Sequence, residues 1–360
     1  MRITILFISF FIATFLFPGY GQESNVQKLI QEGVTLHDQG EYKKAIEKYN
    51  EALELQPQCV QAIYELALSY LALKDFPNAS KFSTRVINMN NDQLSPGAYA
   101  VKSEALAEMG KVDEAIKLLQ DGLYKNGDEY QLHFNLAVNY YKKDDVDKTL
   151  DHIRKAIDLN KSQSGAFLLY AYALNDKGLW VQSILSMQMF LLLEPDSKRS
   201  KNAFEEMLQT MRIKKTGKPV ARSFIQQQMM RSGAGTLLHP EDIPPLTIED
   251  GLNRNFVYHA ITTTLDSLNA TPEEEDEFTR FKVVNRAIMK VLQKESISAR
   301  EGIFWTFYVP FFSHIEQSNF YDTFCRYISV SYYPESLEWW QQNPETAENF
   351  VIWFEKGDNI

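Results

Sequence analysis

An all-α fold is predicted: a solenoid of paired helices, a capping helix, then a second helical domain in the C-terminal half. Three observations lead there. Small residues recur about every 34 residues, apolar residues recur at helical spacing around them, and the C-terminal half shows helix starts but no convincing strand. The chain has 360 residues, 44% hydrophobic and 23% charged, which suits two or three domains with packed cores. Its net charge of −10 argues against nucleic acid as a partner. The 2 cysteines cannot build a disulfide scaffold or a four-thiolate zinc site.

Residues 1–21 read as a secretory signal. Arg2 is followed by an apolar run, Ile3 to Phe17, then by Pro18 and small residues at Gly19 and Gly21. The run is too short to cross a bilayer, and cleavage before Gln22 is expected. Loss of Arg2 leaves 36 basic against 47 acidic residues, a mature charge of −11. The expectation is an exported, soluble protein, periplasmic or secreted, with no transmembrane segment once the signal is removed.

The repeats come next. A small residue marks each first helix at Gly33, Ala67, Ser103, Ala137 and Ala171, at intervals of 34, 36, 34 and 34 residues. Twelve positions after each stands a second: Ala45, Ala79, Ala115, Thr149 and Ser183. Small residues let two helices approach where they cross, and Leu66, Tyr70, Leu136, Tyr140, Tyr170 and Leu174 fill the space around them. Gly40, Gly110 and Gly178 fall where a first helix ends, and Pro57 and Pro195 close their units. This pattern resembles the tetratricopeptide repeat, in five units: 26–59, 60–93, 96–129, 130–163 and 164–197. The third small position reads Ala52, Val86, Gly122, Ala156 and then Phe190, so no sixth standard unit is expected after the fifth. Phe204, Met207, Leu208 and Met211 form an apolar stripe in the next helix, but Glu205 replaces the small residue. That helix reads as a cap.

The resemblance implies a right-handed solenoid with a concave groove lined by the first helices. Its candidate lining is Ile30, Val34, Tyr64, Leu68, Leu71, Phe134, Val138, Tyr141, Leu168 and Tyr172, with Asn135 as a polar member. Members of the family that hold a terminal carboxylate use lysines, arginine and asparagines there, and only Asn135 matches. The expected ligand is therefore a protein or peptide segment with apolar side chains. A stripe this apolar should be covered by something, a partner or another part of the chain.

Segment 198–222 joins the capping helix to a basic linker, with eight basic residues against Glu205 and Glu206. It reads as a solvated, salt-bridged linker, with a peripheral contact to membrane headgroups as the alternative. Gly233 to Gly235 and the prolines from His239 to Pro245 mark an irregular stretch. Helix starts are expected at Thr247 with Asp250, Thr271-Pro272 with Glu274, Ser298 with Glu301, and Asn343-Pro344. From Phe304 to Phe354, 17 of 51 residues are aromatic, against 13% overall, so a compact aromatic core is expected within 223–360. An aromatic docking surface is the alternative.

No chemistry-bearing motif stands out. The histidines are not spaced as paired zinc ligands, and there is no Gly-rich phosphate loop or Ser-centred elbow. Cys325 lies in an aromatic helix and reads as a buried thiol. The leading expectation is a non-catalytic interaction scaffold without cofactor or metal, binding a peptide or helix of an envelope partner. The alternatives are an enzyme or a membrane-surface adaptor with its activity in the C-terminal domain.

Overall fold

The computed structural model describes residues 18–214, 252–270, 275–296 and 303–356, and every regular element among them is a helix. The rest of the expected signal, 1–17, lies outside the described residues. So do the stretch 215–251 with Lys215, Lys218, Arg222, the glycines, prolines and Thr247-Asp250, and the starts at 271–274 and 298–301. The chain forms two compact units, Met1–Gly127 and Asp128–Ile360.

The first unit holds three helical pairs: α1 (Pro18–Asp38) with α2 (Tyr42–Leu55), α3 (Val60–Ala72) with α4 (Phe76–Asn88), and α5 (Ser95–Glu108) with α6 (Val112–Asn126). The second begins with α7 (Tyr130–Lys142), α8 (Val146–Leu159), α9 (Ser164–Asp176) and α10 (Trp180–Leu193). All five pairs turn on the same device. Gly40, Lys74, Gly110, Asp144 and Gly178 have φ of 77°, 62°, 79°, 58° and 80°. In each turn the following N–H reaches back to a carbonyl of the last helical turn, Glu41 to Leu36 and Leu179 to Leu174 at 2.8 Å, with Asp75, Lys111 and Asp145 alike. The small residues do what their size allows. Ala67, Ala79, Ala137 and Ala171 are fully buried, and a β-carbon on Gly33 would stand 2.4 Å from the Tyr49 ring.

After α10 the second unit continues with α11 (Lys198–Thr210), α12 (Arg254–Asn269) and α13 (Glu277–Glu295). A π-helical turn, Phe304–Tyr308, leads into α14 (Val309–Gln317), α15 (Tyr321–Tyr327), α16 (Pro334–Gln342) and α17 (Pro344–Lys356). Pro310 explains the π turn. It has no N–H to give and its ring crowds the carbonyl four residues back, while the Val309 N–H skips to the Phe304 carbonyl. Helices α12 and α13 are capped by Asn253 and Asp276, whose side chains accept from Asn255 N and Thr279 N. Helix α17 starts at Pro344, where the Asn-Pro pair places it.

Sequence patterning places a boundary near 198–222, whereas the compact unit joins the last two pairs to the C-terminal helices. The reason lies in α10, which is buried at every position from Trp180 to Leu192 and has no face left for water. The C-terminal helices pack where that face would be. Gln188 of α10 bonds Asn285 of α13, and Phe204 of α11 meets Phe281, Tyr332 and Tyr333 at ring separations of 4.9–5.4 Å. Phe350 of α17 gathers Phe320, Tyr327, Trp340 and Trp353, so much of the aromatic segment is core. Cys59 and Cys325 are both buried free thiols, and burial pushes the Cys325 thiol up to about 12. Among the described residues no helix is long and apolar enough to cross a membrane.

Candidate peptide-binding face

The candidate residues separate into two sets by exposure. In the first unit Val34, Tyr64, Leu68 and Leu71 are half-buried, whereas Ile30, 2% exposed, belongs to the core of the unit and is not available as groove lining. Tyr64, Leu68 and Leu71 lie three or four positions apart on α3, so they share one face. That face rests on a floor of small or short side chains, Ala67, Ala79, Val101 and Ala105. Tyr64 lies flat because Gly97 leaves it room: a β-carbon there would stand 2.4 Å from the Tyr64 hydroxyl. Burial, and then the neighbouring Glu65 carboxylate, push the Tyr64 hydroxyl above its ordinary value, so it is a neutral donor. Near the same helix His37 Nδ1 lies 2.8 Å from Ser69 Oγ.

In the second unit Phe134, Asn135 and Val138 of α7 are half-buried. Phe134 stacks on Tyr130 with centroids 5.6 Å apart and lies over Gly165, repeating the arrangement of Tyr64 over Gly97. The Asn135 amide donates to its own helix at the Gln131 carbonyl, 2.9 Å, which leaves its carbonyl oxygen and its second N–H as the groups a ligand could use.

Tyr141, Leu168 and Tyr172 are not available as groove lining. They are 3%, 4% and 3% exposed and belong to the continuous core of this unit. Helix α9 is buried on every side from Ala166 to Asn175, and the Tyr141 hydroxyl donates to Asp176 at 2.7 Å. The spacing that marks a groove position in an ordinary repeat marks core here. A helix with apolar residues all round has no solvent face.

Several described residues of the basic segment are paired within the protein, in line with the salt-bridged reading. Among its described members Arg199 pairs with Glu194, Arg212 donates to the Tyr258 hydroxyl at 2.9 Å, and Lys214 bonds Glu205 at 2.5 Å and Tyr332 at 2.6 Å. The glycines beneath the two aromatic residues escaped the sequence reading. Their signal was present: Gly97 and Gly165 each stand six residues before the marker residue of their unit.

The family model described as TPR repeat matches residues 33–74, which span the first turn and the α2 and α3 helices. That stretch carries a tetratricopeptide repeat. The chain is similar to human Tetratricopeptide repeat protein 13, 24% identical over 185 residues, covering 50% of this chain and 21% of that protein. It is also similar to human Protein O-mannosyl-transferase TMTC1, 23% identical over 192 residues, covering 51% and 22%. The chain therefore spans about a fifth of the length of these curated relatives. Among solved structures, a thermophilic TPR protein from Thermus thermophilus is 22% identical, with a TM-score of 0.43 over 47% of this chain and 92% of that one.

Proposed function

We propose that this tetratricopeptide-repeat protein is an exported, non-catalytic scaffold that holds an apolar peptide or helix of an envelope partner. The observation that carries the reading is the half-buried face of Tyr64, Leu68 and Leu71 on α3, with Val34 of α1 in the same unit. Stacked repeats supply such faces in series, and burial of each large apolar side chain of a partner contributes roughly 1.5–3 kcal/mol. Export rests on the signal-like segment 1–21, and the test begins there. The mature N-terminus, read by sequencing protein from the envelope fraction, should be Gln22.

Binding is tested with Leu68→Glu. Leu68 is half-buried, so the charge can reach water and the fold should survive, while capture of envelope partners should be lost. Tyr141→Glu is not a usable companion, because it would bury a charge in the core of the second unit. Retention of the same partners by a folded Leu68→Glu protein would remove this face from consideration.

A further inference from the structure

Helix α10 carries four buried polar side chains, and three of them are satisfied. Ser183 donates to the Ala171 carbonyl at 2.8 Å, Ser186 to the Phe167 carbonyl at 2.9 Å, and Gln188 exchanges bonds with Asn285. The fourth, Gln182, is 4% exposed, and neither its amide nitrogen nor its amide oxygen has a partner. A buried amide left unpaired gives up its hydrogen bonds to water without replacement, so it calls for an explanation.

The explanation is a cavity. Gln182 opens on a space of about 320 Å³ within the second unit. That lies at the lower end of the roughly 300–1,000 Å³ usual for small-molecule sites. Leu174 of α9, with Ile303 and Phe304 at the π turn, supplies apolar wall. Tyr308, from the same turn, adds a buried hydroxyl that likewise has no partner. Burial, and then the nearby Tyr170 and Asp158, hold that hydroxyl well above its ordinary pKa, so it stays a neutral donor. The lining also includes Arg154 and Asp158, one turn apart on α8 and both exposed, which puts a cation and an anion side by side at the open end.

We propose that this cavity binds a small zwitterion with a carboxamide at its far end, the chemistry of free glutamine or asparagine. Each part of such a ligand meets its complement. The Gln182 amide offers one donor and one acceptor, and another amide pairs with both. The α-carboxylate faces the Arg154 guanidinium and the α-ammonium faces the Asp158 carboxylate. The methylene stem lies against Leu174 and Phe304. An anion alone would be opposed by Asp158, and an apolar ligand would leave Gln182 and Tyr308 unpaired.

The test is isothermal titration of the full chain with L-glutamine, L-asparagine, L-leucine and N-acetyl-L-glutamine N-methylamide. Saturable heat is expected with one of the two free carboxamide amino acids. Leucine, which lacks the amide, and the capped derivative, which lacks both charges, should bind at least about tenfold more weakly. Gln182→Leu and Asp158→Asn should each weaken binding by a similar factor. Asp158 is exposed, so Asp158→Asn should melt at the wild-type temperature and keep the comparison clean if Gln182→Leu fails to fold. No saturable heat up to about 10 mM of either free amino acid would mean a water-filled cavity and overturn the proposal. Equal binding of leucine would overturn the role of Gln182. Equal binding of the capped derivative would assign the site to a peptide side chain and overturn the zwitterion.

Discussion

Gln188 and Asn285, 97 residues apart and both fully buried, exchange two amide hydrogen bonds across α10 and α13, Nε2 to Oδ1 at 3.0 Å and Nδ2 to Oε1 at 3.3 Å. They are the one polar pair that links the last repeat helix to α13 in an otherwise apolar contact among the described residues. Apolar packing alone tolerates several registers of one helix on another. A paired amide tolerates one, since a slip of a single turn would strand both partners.

The pair should therefore behave unequally in a mutant cycle. Gln188→Leu leaves the Asn285 amide buried and unpaired, and should cost about 2–3 kcal/mol in urea unfolding. The double variant with Asn285→Leu removes both polar groups and should recover most of that loss. If the double variant lost as much as the sum of the singles, the amides would not act as a pair.

The five left-handed turn residues give a second test. A β-carbon on Gly110 would meet nothing within 4 Å, so only its φ of 79° resists a side chain. Gly110→Ala should destabilise by about 1 kcal/mol for that reason alone. Lys74 already bears this strain at φ 62°, and Lys74→Gly should stabilise by a similar amount. Thermal melts that move both variants in the same direction would contradict the shared conformation.

Gly97 and Gly165 hold the same place in their units, yet they should respond differently. At Gly165 a new β-carbon would sit 3.7 Å from the Phe134 ring, an ordinary contact, so Gly165→Ala should gain about 0.5–1 kcal/mol from helix propensity. At Gly97 it would fall 2.4 Å from the Tyr64 hydroxyl. Gly97→Ala should push Tyr64 off its seat, and with it disturb the face that Leu68 and Leu71 share. A partner-binding loss confined to Gly97→Ala is the expected result, and equal binding by the two variants would count against it.

The repeats were legible because their chemistry is periodic. Gly33, Ala67, Ser103, Ala137 and Ala171 are each required by a helix crossing, and the turn glycines follow from backbone sterics. The lining of the face was only half legible. Spacing puts Leu68 and Tyr172 at equivalent positions, but it does not say that α9 is surrounded, so Tyr172 passed for groove lining. The contacts that shape the second unit were not legible at all. Gln188 meets Asn285, and Gln182 lines one cavity with the π turn, across long stretches of chain that no local pattern encodes. His133 and His152 likewise look scattered in sequence and are bonded in the fold.

That histidine pair makes stability depend on pH. His133 Nε2 lies 2.9 Å from the Asp128 carboxylate and its Nδ1 lies 2.9 Å from His152 Nδ1, while Tyr140 stacks on the His152 ring. Burial, and then the neighbouring His133 ring, with Lys155 and Lys148 adding to it against Asp151, lower the His152 pKa from 6.5 to about 4. The unfolded chain thus takes up a proton near pH 6.5 that the folded protein refuses until about pH 4. The contribution is fully present above pH 6.5 and is lost progressively as the pH falls toward 4. The ring is partly exposed, and solvent screening reduces the loss to about 1–2 kcal/mol. Urea unfolding at pH 7 and pH 4.5 should show this difference in the wild type. In His152→Gln, which keeps a polar group but cannot be charged, the difference between the two pH values should shrink by that amount. Carboxylates titrate in both proteins and cancel in the comparison, so an identical pH dependence for the two would assign the effect elsewhere.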